Sequence, residues 1–357
     1  MNRHERRAAS RTVKAKGLAK SGGGSEQINS GIAAINAGNL RLAEEIFRQI
    51  LKADPNMAEA KHQLGTVLAR TGRADEGARL LREATAALPN EALYWSNLAA
   101  ACYIGNDTAG AIEAARRAVS LQPDYGLAWD NLGSALMDSR DFAEAIRACD
   151  KAIEHGAGDV ETLKRLSGCY FGAQDYGNAI RVMREILANH GDDPEIMASL
   201  GAALIEAQDY IAARDTLAKA AGISPDHFPT AYHYGRVLRL TGDMTAALRW
   251  LRRATSADPR NPVAWRDLAD ALFESGDIEN AKVAIERAVS LEPNATSIRE
   301  LATRILGPSA AEEPVFNLDL PALGLFAPMQ LATAKEPGAP EPDESGVVDL
   351  SILKIGA

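Results

Sequence analysis

Several residue classes are scarce in this sequence of 357 residues, and each scarcity excludes a class of protein. Only three cysteines occur, without the paired spacing of a zinc site or a redox couple, so we expect reduced thiols and a cytoplasmic location. Aromatic residues make up 5% of the chain and β-branched residues are few, which favours helices over sheets. No run of about eighteen apolar residues is present, so no membrane span is expected.

The motifs of catalysis and metal binding are also missing. The six histidines include no HExxH motif and no pair at metal spacing. The glycines of "SGGGS", which starts at Ser21, follow no predicted strand and indicate a linker rather than a phosphate-binding loop. We therefore expect no enzymatic activity, no metal and no cofactor.

What the sequence does contain is an internal repeat. The stretch "AWDNLGSALMDSRDFAEAIRACDKAI", from Ala128, returns as "AWRDLADALFESGDIENAKVAIERAV", from Ala264, at an offset of four times 34 residues. A period of 34 residues fits eight consecutive units without an insertion. The units are 24–57, 58–91, 92–125, 126–159, 160–193, 194–227, 228–261 and 262–295.

Each unit has the pattern of two helices. Positions 4, 7, 8 and 11 lie on one face of a first helix, termed helix A, and a small residue at position 20 allows helix B to approach it. After the turn, an aspartate is expected to cap helix B, and Glu144 is expected to complete a capping box in the fourth unit. The predicted caps are Asp141, Asp175, Asp209, Asp243 and Asp277. Proline at position 32 of most units ends helix B.

This spacing resembles the tetratricopeptide repeat over about three quarters of the chain. The resemblance implies an all-α, right-handed α-solenoid of eight helix-turn-helix repeats. Residues 296–307 are expected to form a capping helix that begins with a Ser297–Glu300 capping box and ends at Gly307. The basic residues 1–23, with a net charge of +6, and the acidic, proline-rich residues 308–357, with a net charge of −6, are predicted to be disordered tails.

Other positions carry expectations about packing. Cys102, Cys149 and Cys169 fall at interior positions of their units and are expected to be buried. In the fourth and fifth units, Ala157 and Gly191 replace the proline. We expect glycine to loosen the helix ends there and to alter the stacking angle at one of these junctions.

The resemblance also implies a concave groove, lined by the A helices, in which peptides bind. At position 6 the first four units carry amides, similar to the asparagine ladder of O-linked N-acetylglucosamine transferases, and these either hold a peptide backbone or merely face solvent. They are Asn29, Gln63, Asn97 and Asn131. Charged and aromatic residues at groove positions further along are candidates for gripping an acidic segment. They are Lys164, Arg165, Tyr232, His233, Arg236, Arg239, Arg266 and Asp267.

Two functions remain open at this point. The first is a non-catalytic scaffold or adaptor that binds extended peptide segments of protein partners in the groove. The alternative is a substrate-recognition array associated with, or derived from, a glycosyltransferase or sulfotransferase linked to such repeats. Nucleic acid and small-molecule substrates are not expected. The acidic tail complements the arginine-bearing half of the groove, which predicts self-docking of residues 308–357.

Overall fold

The computed structural model describes residues 25–307, and this part of the chain is helical between its turns, without a strand. Its helices are α1 (25–36), α2 (Leu40–Ala53), α3 (Ala58–Arg70), α4 (Ala74–Ala87), α5 (Ala92–Ile104), α6 (Thr108–Leu121), α7 (Gly126–Asp138), α8 (Phe142–Glu154), α9 (Val160–Gly172), α10 (Tyr176–His190), α11 (Pro194–Glu206), α12 (Tyr210–Ile223), α13 (Phe228–Leu240), α14 (Met244–Ala257), α15 (Pro262–Glu274), α16 (Ile278–Leu291) and α17 (Thr296–Leu306). From α3 onward the odd-numbered helices begin 34 residues apart, which confirms the all-α repeat.

The odd-numbered helices α1 to α15 are the A helices, and the even-numbered helices α2 to α16 are the B helices. The last helix, α17, begins where a ninth helix A would start. It buries Ile298, Leu301 and Ile305, while most of its remaining residues are exposed or half-buried. The predicted capping helix is therefore present, and it ends at Gly307 with a φ of 92°.

The described residues divide into two compact units, 25–174 and 175–307. The first contains α1 to α9 and the second α10 to α17, so the division falls inside the fifth repeat. Within each unit, successive helices pack on one another from α2 onward, and each helix A from α3 onward also contacts the next helix A. The predicted disordered tails, 1–23 and 308–357, lie outside the described residues.

The five predicted aspartate caps are confirmed. Each aspartate precedes a helix B, and its Oδ1 accepts the backbone N–H of the residue three positions later. The N···Oδ1 distances lie between 3.0 and 3.4 Å. Asp107 caps α6 in the same way. Each such bond satisfies a backbone donor that the helix itself leaves free, which contributes about 1 kcal/mol.

The predicted capping box of α8 is wrong in its second half, and that of α17 is wrong as a whole, because Ser297 lies inside the helix. The Glu144 carboxylate does not return to its own cap but bonds to Nη2 of Arg116 in the preceding repeat, at 2.6 Å. The residue at the cap of α17 is Ala295, without a side-chain cap, and the Oγ of Ser297 instead accepts a bond from Arg266 at 3.3 Å. In each case an arginine from the neighbouring repeat competes for the capping side chain, because a charge-assisted bond is the stronger one.

Glycine tightens the end of α8 rather than loosening it. Gly156 adopts a φ of 81°, which lets the N–H of Ala157 bond to the carbonyl of Ala152 at 2.8 Å across the last turn. Ala157 is thereby buried at the junction with the next repeat. Gly191 has a φ of 87° and closes α10, which is one residue longer than the other long B helices. The expectation of a loosened helix end at Gly156 is thus wrong, and the altered stacking angle stays a prediction.

Within a repeat, helix A meets helix B where position 8 faces position 24. In the sixth repeat, a Cβ added to Gly201 would lie 2.4 Å from Cγ of Leu217, so the glycine provides the space for the leucine. Gly31 has the same relation to the Phe47 ring, also at 2.4 Å. In the third repeat, where position 24 is Ala115, position 8 holds alanine instead of glycine. In the first and sixth repeats the glycine at position 8 therefore leaves the volume that the large side chain at position 24 fills.

Tryptophan at position 4 links neighbouring repeats. The indole Nε1 of Trp95, Trp129 and Trp265 donates to the carbonyl of the position-32 proline that precedes its repeat, at distances from 2.8 to 3.0 Å. The bond joins the end of one helix B to the next helix A. The proline carbonyl is free to accept it because the helix has already ended there. These tryptophans act in packing, as their shared position indicates.

The three cysteines are buried and free, as predicted. Burial raises the pKa of the Cys102 thiol to about 11. Contact with the Cys169 thiol, together with burial, raises the pKa of Cys149. A raised pKa keeps a thiol protonated and unreactive at neutral pH, which agrees with a structural role.

The contact between positions 8 and 24 predicts opposite effects for two alanine substitutions in one repeat. Gly201→Ala should lower the free energy of unfolding by about 1 to 3 kcal/mol, because the added methyl group has no room beside Leu217. Gly222→Ala, in α12, adds its methyl group where no atom lies within 4 Å, and should be neutral or stabilising by up to about 1 kcal/mol. Urea denaturation followed by circular dichroism measures both. Equal losses would show that helix packing at position 8 is not the constraint.

Candidate functional site

The position-6 residues of the first unit form a row along its A helices, one on each of α1, α3, α5, α7 and α9. We define the A-helix face as the surface made by positions 2, 5, 6, 9, 12 and 13 of the A helices of one unit. Asn29 is exposed, whereas the next four members of the row are 8%, 1%, 4% and 9% exposed. Those four are Gln63, Asn97, Asn131 and Arg165. Most of the row thus lies against neighbouring side chains.

The inner members of the row bond backwards to the preceding repeat. Nδ2 of Asn97 lies 2.9 Å from Nε2 of His62, and Nδ2 of Asn131 lies 3.1 Å from Oγ of Ser96. In both pairs the partner is 35 residues earlier, so position 6 of one repeat bonds to position 5 of the repeat before it. Among the described residues nothing donates to Oδ1 of Asn131, which leaves that acceptor for a ligand.

The same relation produces a buried ion pair. Nη1 of Arg165 bonds to Oδ1 of Asp130, 35 residues earlier, and both side chains are less than a tenth exposed. Oγ1 of Thr162 donates to the same carboxylate oxygen at 2.7 Å. Lys164, the other predicted cation of this repeat, lies 3.1 Å from Glu161. The cations that sequence analysis placed here are therefore already balanced by carboxylates.

Two members of the row have no such partner because the preceding position 5 offers none. Asn29 lies in the first repeat, and the position-5 residue before Gln63 is Ile28, which is buried and apolar. Neither amide makes a hydrogen bond to another described residue. Since a side-chain amide carries both a donor and an acceptor, Asn29 and Gln63 present complete amide groups on neighbouring A helices. We refer to them as the free amide pair.

His62 lies beside this pair and is 1% exposed. Its ring stacks on Tyr94 with centroids 4.0 Å apart, and its Nδ1 has no hydrogen-bond partner among the described residues. Burial lowers the pKa of His62 to about 4, so the imidazole is neutral at physiological pH. The A-helix face of the first unit therefore carries neutral polar groups beside charged residues, which include Arg70 and Asp138 at position 13 of α3 and α7.

The second unit repeats the 35-residue relation around one carboxylate. Oδ2 of Asp267 accepts a bond from the hydroxyl of Tyr232 at 2.8 Å, and its Oδ1 accepts from Nε of Arg266 at 2.9 Å. Nε of Arg236 lies 3.9 Å from the same carboxylate and its Nη2 lies 3.4 Å from Glu206. Four predicted site residues are thus brought together, but as a balanced cluster.

The remaining arginines of this face are paired in the same manner. Nη1 of Arg239 lies 2.6 Å from Oδ2 of Asp270 and 3.4 Å from Glu274, and Arg304 of α17 bonds to the other oxygen of Asp270. The arginines that were predicted from the sequence to bind an acidic segment are therefore neutralised by carboxylates of the same unit. A paired guanidinium attracts a further carboxylate less strongly than a free one does.

His233 is the exception in the second unit. It stands at position 6, but the preceding position 5 is Ala198, which has no polar side-chain atom, and its Nδ1 is buried without a partner. Its ring meets the Tyr232 ring edge-on with centroids 5.0 Å apart. Burial, and secondarily the charge on Arg236, lowers the pKa of His233 to about 4. It is the counterpart of Gln63 in the second unit.

Sequence reasoning missed the position-5 partners on these faces, namely His62, Ser96 and Asp130. A signal for them exists, because polar residues 35 positions apart recur along the repeats. Trp250 is half-buried, with Tyr234 at a centroid distance of 5.1 Å and Arg253 over its ring.

Comparison with known proteins places the chain in a family. A family model described as tetratricopeptide repeat matches residues 34–102, 136–204, 170–234 and 238–305, and a second model of that description matches residues 105–160. These matches cover more than half of the chain, which therefore belongs to the tetratricopeptide repeat family. Tetratricopeptide repeats are typical of protein–protein interaction scaffolds. No curated protein matches the whole sequence significantly.

Solved structures show the same fold at low identity. The APC/C hetero-tetramer Cut9–Hcn1 matches with a TM-score of 0.54 and 16% identity over 75% of this chain and 52% of that chain. This chain thus spans about half the length of that relative. PilF of Pseudomonas aeruginosa matches with a TM-score of 0.51 and 16% identity, over 62% of this chain and 99% of its own. The C-terminal part of a repeat-containing protein of Cytophaga hutchinsonii matches with a TM-score of 0.50 and 14% identity, over 67% of this chain and 98% of that chain.

Two absences complete the description of residues 25–307. No group of three or more histidine, cysteine, aspartate or glutamate side chains in this range is placed to hold a metal ion. None of the helices described above is both long and apolar enough to cross a bilayer.

The two buried histidines predict a loss of stability in mild acid. Because the pKa values of His62 and His233 are lowered from 6.5 to about 4, the unfolded chain binds protons first as the pH falls. The free energy of unfolding should therefore decrease between pH 6.5 and pH 4, by about 2 kcal/mol per histidine at pH 5. Urea titrations at pH 7 and pH 5 measure this. The double variant His62→Gln, His233→Gln should lose most of the difference, and an unchanged difference would contradict the assignment.

The buried ion pair predicts a large effect for a small substitution. Asp130→Asn removes the carboxylate charge and leaves Arg165 buried without a counterion, so we expect a loss of about 3 kcal/mol or more. The matched control is Glu144→Gln, whose partner Arg116 is 54% exposed, and which should cost less than about 1 kcal/mol. Urea denaturation of both variants gives the comparison. Similar small losses from the two variants would refute a structural role for the pair.

Proposed function

We propose that this chain is a non-catalytic scaffold that binds extended peptide segments of partner proteins on its A-helix faces. The observation that carries the proposal is the free amide pair, Asn29 and Gln63, on adjacent helices of the first unit. Both amides keep their donor and acceptor unused, and Oδ1 of Asn131 adds an acceptor further along the row. An extended backbone presents alternating N–H and C=O groups, which such amides can bond whatever the peptide side chains are.

The surroundings of the free amide pair favour a neutral segment. Ile32, Leu93, Tyr103 and Ile104 lie at face positions of α1 and α5 and are half-buried, so each retains apolar surface for a ligand side chain. Backbone bonds and a few apolar contacts are expected to give single-site dissociation constants on the order of micromolar. The first unit is therefore the proposed principal binding surface.

The second unit is proposed to contribute a more selective surface. Lys164 and Arg165 belong to the first unit, whereas Tyr232, His233, Arg236, Arg239, Arg266 and Asp267 belong to the second. Since the arginines are paired with carboxylates, the proposed role of this cluster is to hold the shape of the surface around His233, whose Nδ1 is buried. The cytoplasmic location rests on the sequence alone and stays a prediction.

Selection of peptides from a random library displayed on phage, followed by fluorescence anisotropy with the full chain, tests the function. Gln63→Leu should weaken selected peptides about tenfold, because it removes the donor and acceptor that meet the peptide backbone. The matched control is Ser199→Leu, at the exposed position 6 of the sixth repeat, which should leave binding by the first unit unchanged. The proposal is wrong if no peptide binds, or if both variants bind as the wild type does.

Affinity purification from the native cell distinguishes the scaffold from the alternative given by the sequence. A stable transferase partner whose substrates bind the A-helix faces would favour the substrate-recognition array. A set of partners without a shared enzyme would favour the scaffold. Either outcome leaves the peptide-binding chemistry of the free amide pair as the common element.

A further inference from the structure

We infer that the A-helix face of the first unit is regulated by the chain itself, through docking of the C-terminal segment 347–355, "VVDLSILKI". The inference rests on the proposed function, because it assigns an occupant to the same surface. Three properties carry it: the balance of charge on the two A-helix faces, the chemistry of the segment, and the length of chain that joins it to α17.

The two A-helix faces differ in how well their charges suit docking of the tail. The arginines of the second unit, which the net charge of the tail complements, are held by Asp267, Asp270 and other carboxylates. An acidic segment would have to compete with those pairs, so attraction there is weak. On the first unit Lys164 and Arg165 are paired with carboxylates, and the charges of Arg70 and Asp138, at position 13 of α3 and α7, cancel. That face suits a segment without net charge.

The segment 347–355 has the matching chemistry. Its single aspartate, Asp349, and single lysine, Lys354, cancel, and six of its other residues are Val, Ile or Leu. Four of those six are β-branched, which favours an extended backbone. The segment also contains no proline, so every residue has an N–H to offer to an amide acceptor. The other apolar stretch of the tail, 315–331, contains Pro321 and Pro328, and each of these lacks that donor.

A long tether joins the segment to α17. Residues 308–346 separate Gly307, the end of the described range, from Val347. At about 3.4 Å per residue this stretch reaches up to about 130 Å when extended. Docking in the same chain has an effective concentration up to the order of millimolar, so even a micromolar site would be largely occupied.

The face also shows the polar groups that such an occupant would satisfy. Among the described residues the side chain of Gln63 makes no hydrogen bond and Oδ1 of Asn131 receives none. An extended strand that crosses α3, α5 and α7 supplies N–H and C=O groups in the alternating order these atoms need. The expected consequence is competition: a partner peptide binds only when the segment is displaced.

The test uses the full chain and a fluorescein-labelled peptide of residues 345–357. Leu350→Asp places a charge in the middle of the apolar segment, and Ser351→Asp, its neighbour, adds the same charge at a residue that is already polar. We expect the Leu350→Asp chain to bind the labelled peptide with a micromolar dissociation constant. The wild-type and Ser351→Asp chains should bind it at least tenfold more weakly, because their own segment occupies the face. Adding Gln63→Leu to the Leu350→Asp chain should weaken the peptide about tenfold, and adding Ser199→Leu should not.

Equal binding of the peptide by the wild-type and Leu350→Asp chains, or no binding by either, would overturn the inference. The alternative occupant of the face is the segment of a second copy of the chain, and sedimentation of the wild-type chain at several concentrations checks it. Dimers that form with rising concentration and that Leu350→Asp abolishes would assign the segment to a second copy. That result would overturn docking within one chain. Peptides selected from the phage library separate this failure from that of the proposed function. If those peptides bind both chains equally while peptide 345–357 binds neither, only self-docking fails. If no peptide of any kind binds, the function fails as well.

Discussion

A helix pair of this repeat cannot cover its own apolar side, and the contact between one helix A and the next is the interaction on which the rest depends. At that junction the chain places a polar pair 35 residues apart, position 5 of one repeat against position 6 of the next. Ser96 with Asn131, Asp130 with Arg165 and Tyr232 with Asp267 are examples. A buried polar group must be satisfied, so these pairs hold neighbouring A helices in a defined register.

The same relation decides which polar side chains remain for a ligand. A position-6 residue whose predecessor at position 5 is polar is used internally. One whose predecessor is apolar, as with Ile28 before Gln63 and Ala198 before His233, keeps its polar atoms unused. The proposed binding surface therefore rests on gaps in the pairing rather than on the full row of amides.

Charged side chains are likewise paired with one another inside the repeats. The second unit carries many arginines, but Asp267, Asp270, Glu206 and Glu274 lie within salt-bridge distance of them. A count of charged residues along the sequence therefore overstates the field that a partner meets. On the A-helix face of the first unit the cations Lys164 and Arg165 are paired, and the charges of Arg70 and Asp138 cancel. This balance is the reason why the proposed function relies on backbone recognition and why the proposed occupant is a segment without net charge.

Much of the architecture follows from the sequence, because local signals and the 34-residue period act within one repeat. The helix starts, the aspartate caps and the burial of the cysteines were predicted on that basis and are confirmed. Two of the wrong predictions involve a second repeat. Glu144 and Ser297 were assigned to their own helices, yet each bonds to an arginine of the repeat before it.

For the candidate site, too, some features follow from the sequence and others only from the packing of two repeats. The sequence by itself determined the repeat, its helices and the row of residues at position 6, since these depend on residue type and spacing alone. Only the tertiary structure decided that Asn131 is partly used, that Arg165 is buried in an ion pair and that Gln63 is unused. Hydrogen bonds are directional and act over about 3 Å, so which partner a side chain takes is settled only when two repeats pack together.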